Sequence, residues 1–179
     1  MIEFDSLKHE YKINGVSVPS VTKILGNGYY YHNEHAMNRG SKIHTLTHMY
    51  DNGNLDLDFL IGTEYFPYVS AWIDYKKLTG IEIIEREYIV GSEEHLCAGT
   101  LDILGIIENT MWLLDIKSGA VSKRMHRLQV SAYKLFCKKY RDEIKKLGCI
   151  HLKPNGLFSL VEYEYTPAEF IEIRNEYKG

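Results

Sequence analysis

The chain has 179 residues, 45% of them hydrophobic and 25% charged, with a formal net charge of −3 at neutral pH. That is enough for one domain with a sizeable core, spanning 1–179, and it is ordinary for a soluble globular protein. The charge does not mark an obvious nucleic-acid binder.

The distribution of charge says more. Lys117 to Lys146 holds ten Lys/Arg against Asp142 and Glu143, a local +8 that leaves about −11 for the rest. A basic stripe on an acidic body suits a phosphate-binding face beside a carboxylate metal site, and equally a solvated helix face. Cys97, Cys137 and Cys149 are scattered, with no CxxC pair. That argues for reduced thiols and a cytoplasmic home, and against a zinc site or iron–sulfur cluster. The opening Met1-Ile2-Glu3-Phe4-Asp5 is not a signal peptide, and no apolar run approaches membrane-spanning length.

In chain order, residues 9–18 read as a hairpin turning at Asn14-Gly15. Pro19 to Leu25 starts a short helix that Gly26 or Gly28 ends. Tyr29-Tyr30-Tyr31 follows, an aromatic run suited to packing or to stacking on bases. Residues 34–51 form a helix stopped by Asp51-Asn52-Gly53-Asn54, and 63–79 another, with Gly80 as C-cap.

The pattern then changes. Residues 81–90, 97–107 and 111–117 are short and rich in Ile, Val and Leu, as strands are. Residues 124–146 have a helical period, and 148–153 with 157–164 form a hairpin around Pro154-Asn155-Gly156. Thr166 with Glu169 predicts a capping box for the last helix. The order implies an α/β domain, a mixed sheet flanked by helices.

Asp115 and Lys117 are two apart on an apolar strand, hence on one face. Burying both is costly unless they pair or hold a metal. A two-residue loop at Asn109-Thr110 sets Asp102 opposite Lys117 and Asp115 opposite Leu104. All three polar side chains then share one face, and Leu101, Leu114 and Ile116 the other. Any even loop keeps that parity. A structural ion pair is the alternative, but a pair needs one acid and here there are two. Gln129 and Tyr133, four apart, share one helix face.

These residues resemble the PD-(D/E)XK nuclease superfamily in its RecB-type branch. The matching motifs are Gly40-Ser41-Lys42-Ile43-His44, Gly99-Thr100-Leu101-Asp102, Asp115-Ile116-Lys117 and Gln129 to Tyr133, in that order. The run Pro19 to Leu25, with Arg39-Gly40 ahead of His44, looks more narrowly like mitochondrial genome maintenance exonucleases and their phage relatives. The likeness covers roughly residues 9–140. It implies a restriction-endonuclease-like core and a metal-dependent DNA exonuclease of replication, recombination or repair. A structure-directed endonuclease and a non-catalytic nucleic-acid-binding or inhibitory protein on the same fold are the alternatives.

The resemblance implies Mg²⁺ or Mn²⁺, one or two ions, held by His44, Asp102, Asp115 and the carbonyl of Ile116. Glu87, with Glu85 second, would orient a ligand, a water or a second metal. Lys117 would hold the water or stabilise the transition state, and Gln129 and Tyr133 would position them. Ser20, Thr22, Arg39, Lys42, Lys123, Arg124 and Arg127 are candidates for DNA contacts. The implied partners are DNA, single-stranded or with free ends, and a recombination or single-strand-binding protein.

Overall fold

The computed structural model describes residues 1–5, 8–26, 34–120 and 122–178. The Tyr29-Tyr30-Tyr31 run lies outside them. The chain is an α/β protein with two sheets. The first is a small antiparallel sheet of β1 (Ile2–Asp5), β2 (Glu10–Ile13) and β3 (Val16–Val18). Asn14 and Gly15, at φ 51° and 80°, make its turn, the left-handed pair that a two-residue hairpin needs. Then come α1 (Val21–Gly26), α2 (Glu34–Asp51), a 3₁₀ turn (Leu57–Leu60) and α3 (Phe66–Thr79), which ends on left-handed Gly80.

The central sheet follows the order β4 (Glu82–Ser92), β5 (Cys97–Ile107), β6 (Thr110–Lys117), β7 (Lys146–Leu152), β8 (Phe158–Tyr163). Neighbours are antiparallel except β6 and β7, which run parallel. A parallel pair needs a crossover, and α4 (Lys123–Phe136) supplies it. α5 (Pro167–Glu176) packs beside α4. Leu113, Leu128, Val130, Phe136, Leu147 and Phe170 pack together under α4 and α5. Ile103, Leu114, Ile116 and Ile150 pack with Trp72 and Tyr75 of α3. The sheet is therefore covered on both faces, which is why its central strands are apolar on both sides. No helix among the described residues is long and apolar enough to cross a membrane.

Four local expectations are corrected. The β5–β6 loop is Glu108-Asn109, at φ 49° and 60°, with Ile107 facing Thr110. It lies one residue earlier than Asn109-Thr110, because Thr110 joins the ladder and leaves the left-handed positions to Glu and Asn. The helix over 124–146 stops at Phe136, and turns at 138–143 bring the chain back. The Lys145 N–H then bonds the Met111 carbonyl and Lys146 pairs with Trp112, so sheet pairing overrides a helical period. Glu169 does not close a capping box; its carboxylate accepts from Arg124 and Arg127, and Thr166 makes no side-chain cap. Leu101 joins the cluster under α4 rather than Leu114 and Ile116. The regular β5–β6 pairing runs only as far as Ile103 and Leu114, so simple alternation does not carry past it.

Candidate active site

The two-residue loop preserves parity but moves the register. Ile103 faces Leu114, so the next position on each strand sets Asp102 beside Asp115 rather than Lys117. Here the ladder gives way to a side chain. Asp102 Oδ2 accepts the Ile116 N–H at 2.6 Å, taking the place of a strand carbonyl. On the other flank, Arg86 pairs with Ile103 and Tyr88 with Leu101, which brackets Glu87 beside Asp102. Glu87 has φ 50°, a left-handed conformation inside a strand.

α2 supplies His44. Its Nε2 lies 3.0 Å from the Ile116 carbonyl, and its Nδ1 lies 3.6 Å from Asp102 Oδ2 and 3.9 Å from Glu87 Oε1. The helix is held in place from behind. Arg86 Nη2 donates to Thr47 Oγ1 at 2.7 Å, and Thr47 Oγ1 donates to the His44 carbonyl at 2.9 Å. Arg86 also pairs with Asp51 at 3.2 Å. Gly40, one turn before His44, lies beside Ser118, and a Cβ there would make an ordinary 3.7 Å contact with Ser118 Oγ.

α4 supplies the remaining wall. Gln129 Nε2 donates to Asp115 Oδ1 at 3.0 Å and to the Tyr133 hydroxyl at 3.1 Å. Lys117 Nζ lies 2.6 Å from Asp115 Oδ2, so both oxygens of this 1%-exposed carboxylate are engaged. The Tyr133 ring lies against Gly99, where a Cβ would come within 2.6 Å of Tyr133 Cε1. The glycine of Gly99-Thr100-Leu101-Asp102 is therefore a packing requirement.

Donor atoms of His44, Glu87 and Asp102 lie within 4.8 Å of one another. Mg²⁺ holds oxygen at about 2.1 Å, so donors across it are ~4 Å apart, close to that spacing. The charges fit a cation as well. Burial above all, with Asp115 and Glu87 nearby, pushes the Asp102 carboxyl up to about 7 against the pull of His44 and Lys117. Burial opposes the charged His44 ring, but Asp102 and Glu87 outweigh it and raise the imidazole to about 9. Burial likewise opposes the Lys117 ammonium, and Asp115 and Asp102 overcome it, so its pKa is raised. A site that draws protons onto crowded carboxylates and an imidazole has the excess negative charge that a divalent cation neutralises.

The clustered donor atoms differ from the expected ligand set. Glu87, expected only to orient a ligand, water or second metal, stands in the three-residue group. Asp115 does not, because Lys117, on the same face two residues on, takes its Oδ2. The Ile116 carbonyl faces His44 Nε2. Glu85 turns away to Tyr140 and Lys139, at 2.6 and 3.0 Å.

The cleft around these groups has a volume of about 930 Å³. Ser20 and Thr22 line it, their hydroxyls 3.0 Å apart, and Ser20 Oγ also accepts the Lys23 N–H as an N-cap does. Arg39, Lys42, Lys123, Arg124 and Arg127 do not line it. Arg39 stacks 5.7 Å over the Tyr68 ring, Arg124 and Arg127 hold Glu169, and Lys42 and Lys123 are exposed elsewhere. Much of the basic stripe has partners within the chain: Lys134 bonds the Ile144 carbonyl, and at the surface Lys139 pairs with Glu85 and Lys146 with Glu162.

The sequence reading missed Tyr11, Thr100 and His126 as cleft residues. His126 lies three residues before Gln129, a helical spacing that signals a shared face. Tyr11 carries no such signal; its hydroxyl meets Thr100 Oγ1 at 2.8 Å across 89 residues of chain.

No family model matches the chain, and no curated protein does. Among solved structures, 17 chains match. The crystal structure of SSO0001 aligns with a TM-score of 0.39 at 12% identity, over 87% of this chain and 82% of that one. A likeness at that level carries no argument about activity.

Proposed function

We propose that the protein is a metal-dependent deoxyribonuclease hydrolysing phosphodiester bonds at DNA ends, with single strands or flaps preferred. The observation that supports this most is one cleft gathering His44, Glu87 and Asp102 beside the Asp115–Lys117 pair. The order of these residues in the PD-(D/E)XK-like motifs supports it further.

His44, Glu87 and Asp102 would hold Mg²⁺ or Mn²⁺, with Asp115 close behind. A divalent ion held there would supply an activated water and charge neutralisation at the phosphate. Lys117, held 2.6 Å from Asp115 Oδ2, would act as a fixed positive charge toward the developing oxyanion. Asp115 holds that ammonium, Gln129 holds Asp115, and Tyr133 packs on Gly99 to fix Gln129. Preorganisation of this kind removes the reorganisation cost from the chemical step.

The test is digestion of end-labelled linear and closed circular single-stranded DNA with Mg²⁺ or Mn²⁺. Cleavage of linear DNA only, abolished by chelator, is expected. Circles cut as fast as linear strands would replace end dependence with endonuclease action. No cleavage of any DNA with either metal would overturn the reading.

A further inference from the structure

We propose that the N-terminal three-stranded sheet is a base-stacking wall, and that it makes the cleft selective for unpaired DNA; this rests on the nuclease reading above. Phe4 of β1, His9 of the turn before β2 and Tyr11 of β2 all line the cleft that holds His44 and Asp102. Their rings form one cluster. Phe4 and Tyr11 stack at 4.5 Å and 24°, and His9 stands edge-on to Phe4 at 5.3 Å. The Tyr11 hydroxyl bonds Thr100 on β5, two residues from Asp102, so the wall is tied to the strand that carries the metal ligand. His9 is exposed and sits at φ 52°, held beside Phe4 in a left-handed turn.

α2 adds Met37 and Met49 to the same cleft, 54% and 37% exposed. These thioethers share a helix face with Ser41 and Thr45 at four-residue spacing. Among the described residues lining the cleft, Lys117 is the only Lys or Arg, and Asp115 already holds it. Lys and Arg carry the salt-dependent part of phosphate binding, and this cleft has almost none to offer, leaving neutral hydroxyls such as Ser20 and Thr22. Buried Tyr11 backs the half-buried Phe4 ring, so Phe4, exposed His9 and the two thioethers are the groups that meet the π-faces of bases whatever their sequence. A cleft of about 930 Å³ has room for a few unpaired bases.

The experiment measures binding, so it does not depend on turnover. Fluorescence anisotropy with Ca²⁺ present compares a short oligothymidine with the same strand carrying abasic residues. The intact protein should bind oligothymidine roughly tenfold tighter. Its affinity should also fall only shallowly with salt, by about one counterion's worth of slope. The double variant Phe4→Leu/His9→Asn keeps an apolar residue at 4 and a residue tolerant of positive φ at 9. It should bring the two strands to within about twofold, while circular dichroism stays unchanged. Equal binding of both strands by the intact protein would overturn the wall, as would a variant that keeps the tenfold ratio. Cleavage of DNA with no base discrimination leaves the nuclease reading standing and removes the wall. Base discrimination with no cleavage does the reverse.

Discussion

Asp102 accepts the backbone N–H of Ile116 through Oδ2 at 2.6 Å, so one carboxylate both completes the sheet and faces the candidate metal site. The two roles separate by substitution. Asp102→Asn keeps an oxygen for the Ile116 N–H but removes the charge. It should retain the wild-type melting behaviour while weakening Mn²⁺ binding at least ~10-fold by calorimetry. Asp102→Ala leaves a buried N–H without a partner and should also lose ~1–3 kcal/mol in urea unfolding. Unchanged Mn²⁺ affinity in both variants would remove Asp102 from the ligand set.

Lys117→Ala should lower nuclease activity at least ~100-fold, the usual effect of deleting a preorganised charge. It also leaves Asp115 buried with Gln129 alone. The expected stability cost is about 3 kcal/mol, and Asp115→Asn in the same chain should recover most of it without recovering activity. Denaturant curves of the two single variants and the double variant decide this.

Gly99→Ala tests the packing reason for a motif glycine. The added Cβ meets Tyr133 Cε1 at 2.6 Å, so the ring must move and carry its hydroxyl away from Gln129. A loss of ~1–3 kcal/mol is expected. Tyr133→Phe should not relieve the strain, because the clash is with the ring; Tyr133→Leu should relieve part of it. Wild-type stability of Gly99→Ala would show that the ring yields freely.

His126 gives a stability–pH prediction. Burial first, then Lys117, push its imidazole from 6.5 down to about 4. Above pH 6.5 it is neutral folded or unfolded and has no effect. Between 6.5 and about 4 the unfolded chain takes a proton that the folded one refuses, so stability falls with pH. His126→Gln should flatten this slope, gaining about 1–2 kcal/mol at pH ~5 relative to pH ~8 after allowance for solvent screening. Parallel stability–pH curves for the variant and the wild type would contradict the assignment.

Arg124 and Arg127 are expected to serve α5 packing more than DNA binding. Both hold Glu169 across 45 and 42 residues of sequence. Arg124→Ala/Arg127→Ala should change DNA affinity less than about twofold and lower stability by about 1 kcal/mol, as exposed pairs do. A marked drop in the salt dependence of DNA binding would return them to the DNA-contacting set.

Element order was legible in the sequence because it is written locally. Asn14-Gly15 turns a hairpin, Gly80 ends α3 in a left-handed conformation, and the Ile/Val/Leu runs at 97–107 and 111–117 are strands. The shared face of Asp102, Asp115 and Lys117 was legible for the same reason, since a strand alternates with a period of two. What tertiary structure decided is which of these groups meet. A one-residue shift of the loop to Glu108-Asn109 left parity intact but set Asp102 beside Asp115. Lys117 captured Asp115, Glu87 joined His44 and Asp102, and Glu169 captured two arginines from the basic stripe. Those choices are made between residues tens of positions apart. They follow from how helices seat on the sheet and where each buried charge finds its counter-charge, and no local pattern in the chain encodes that.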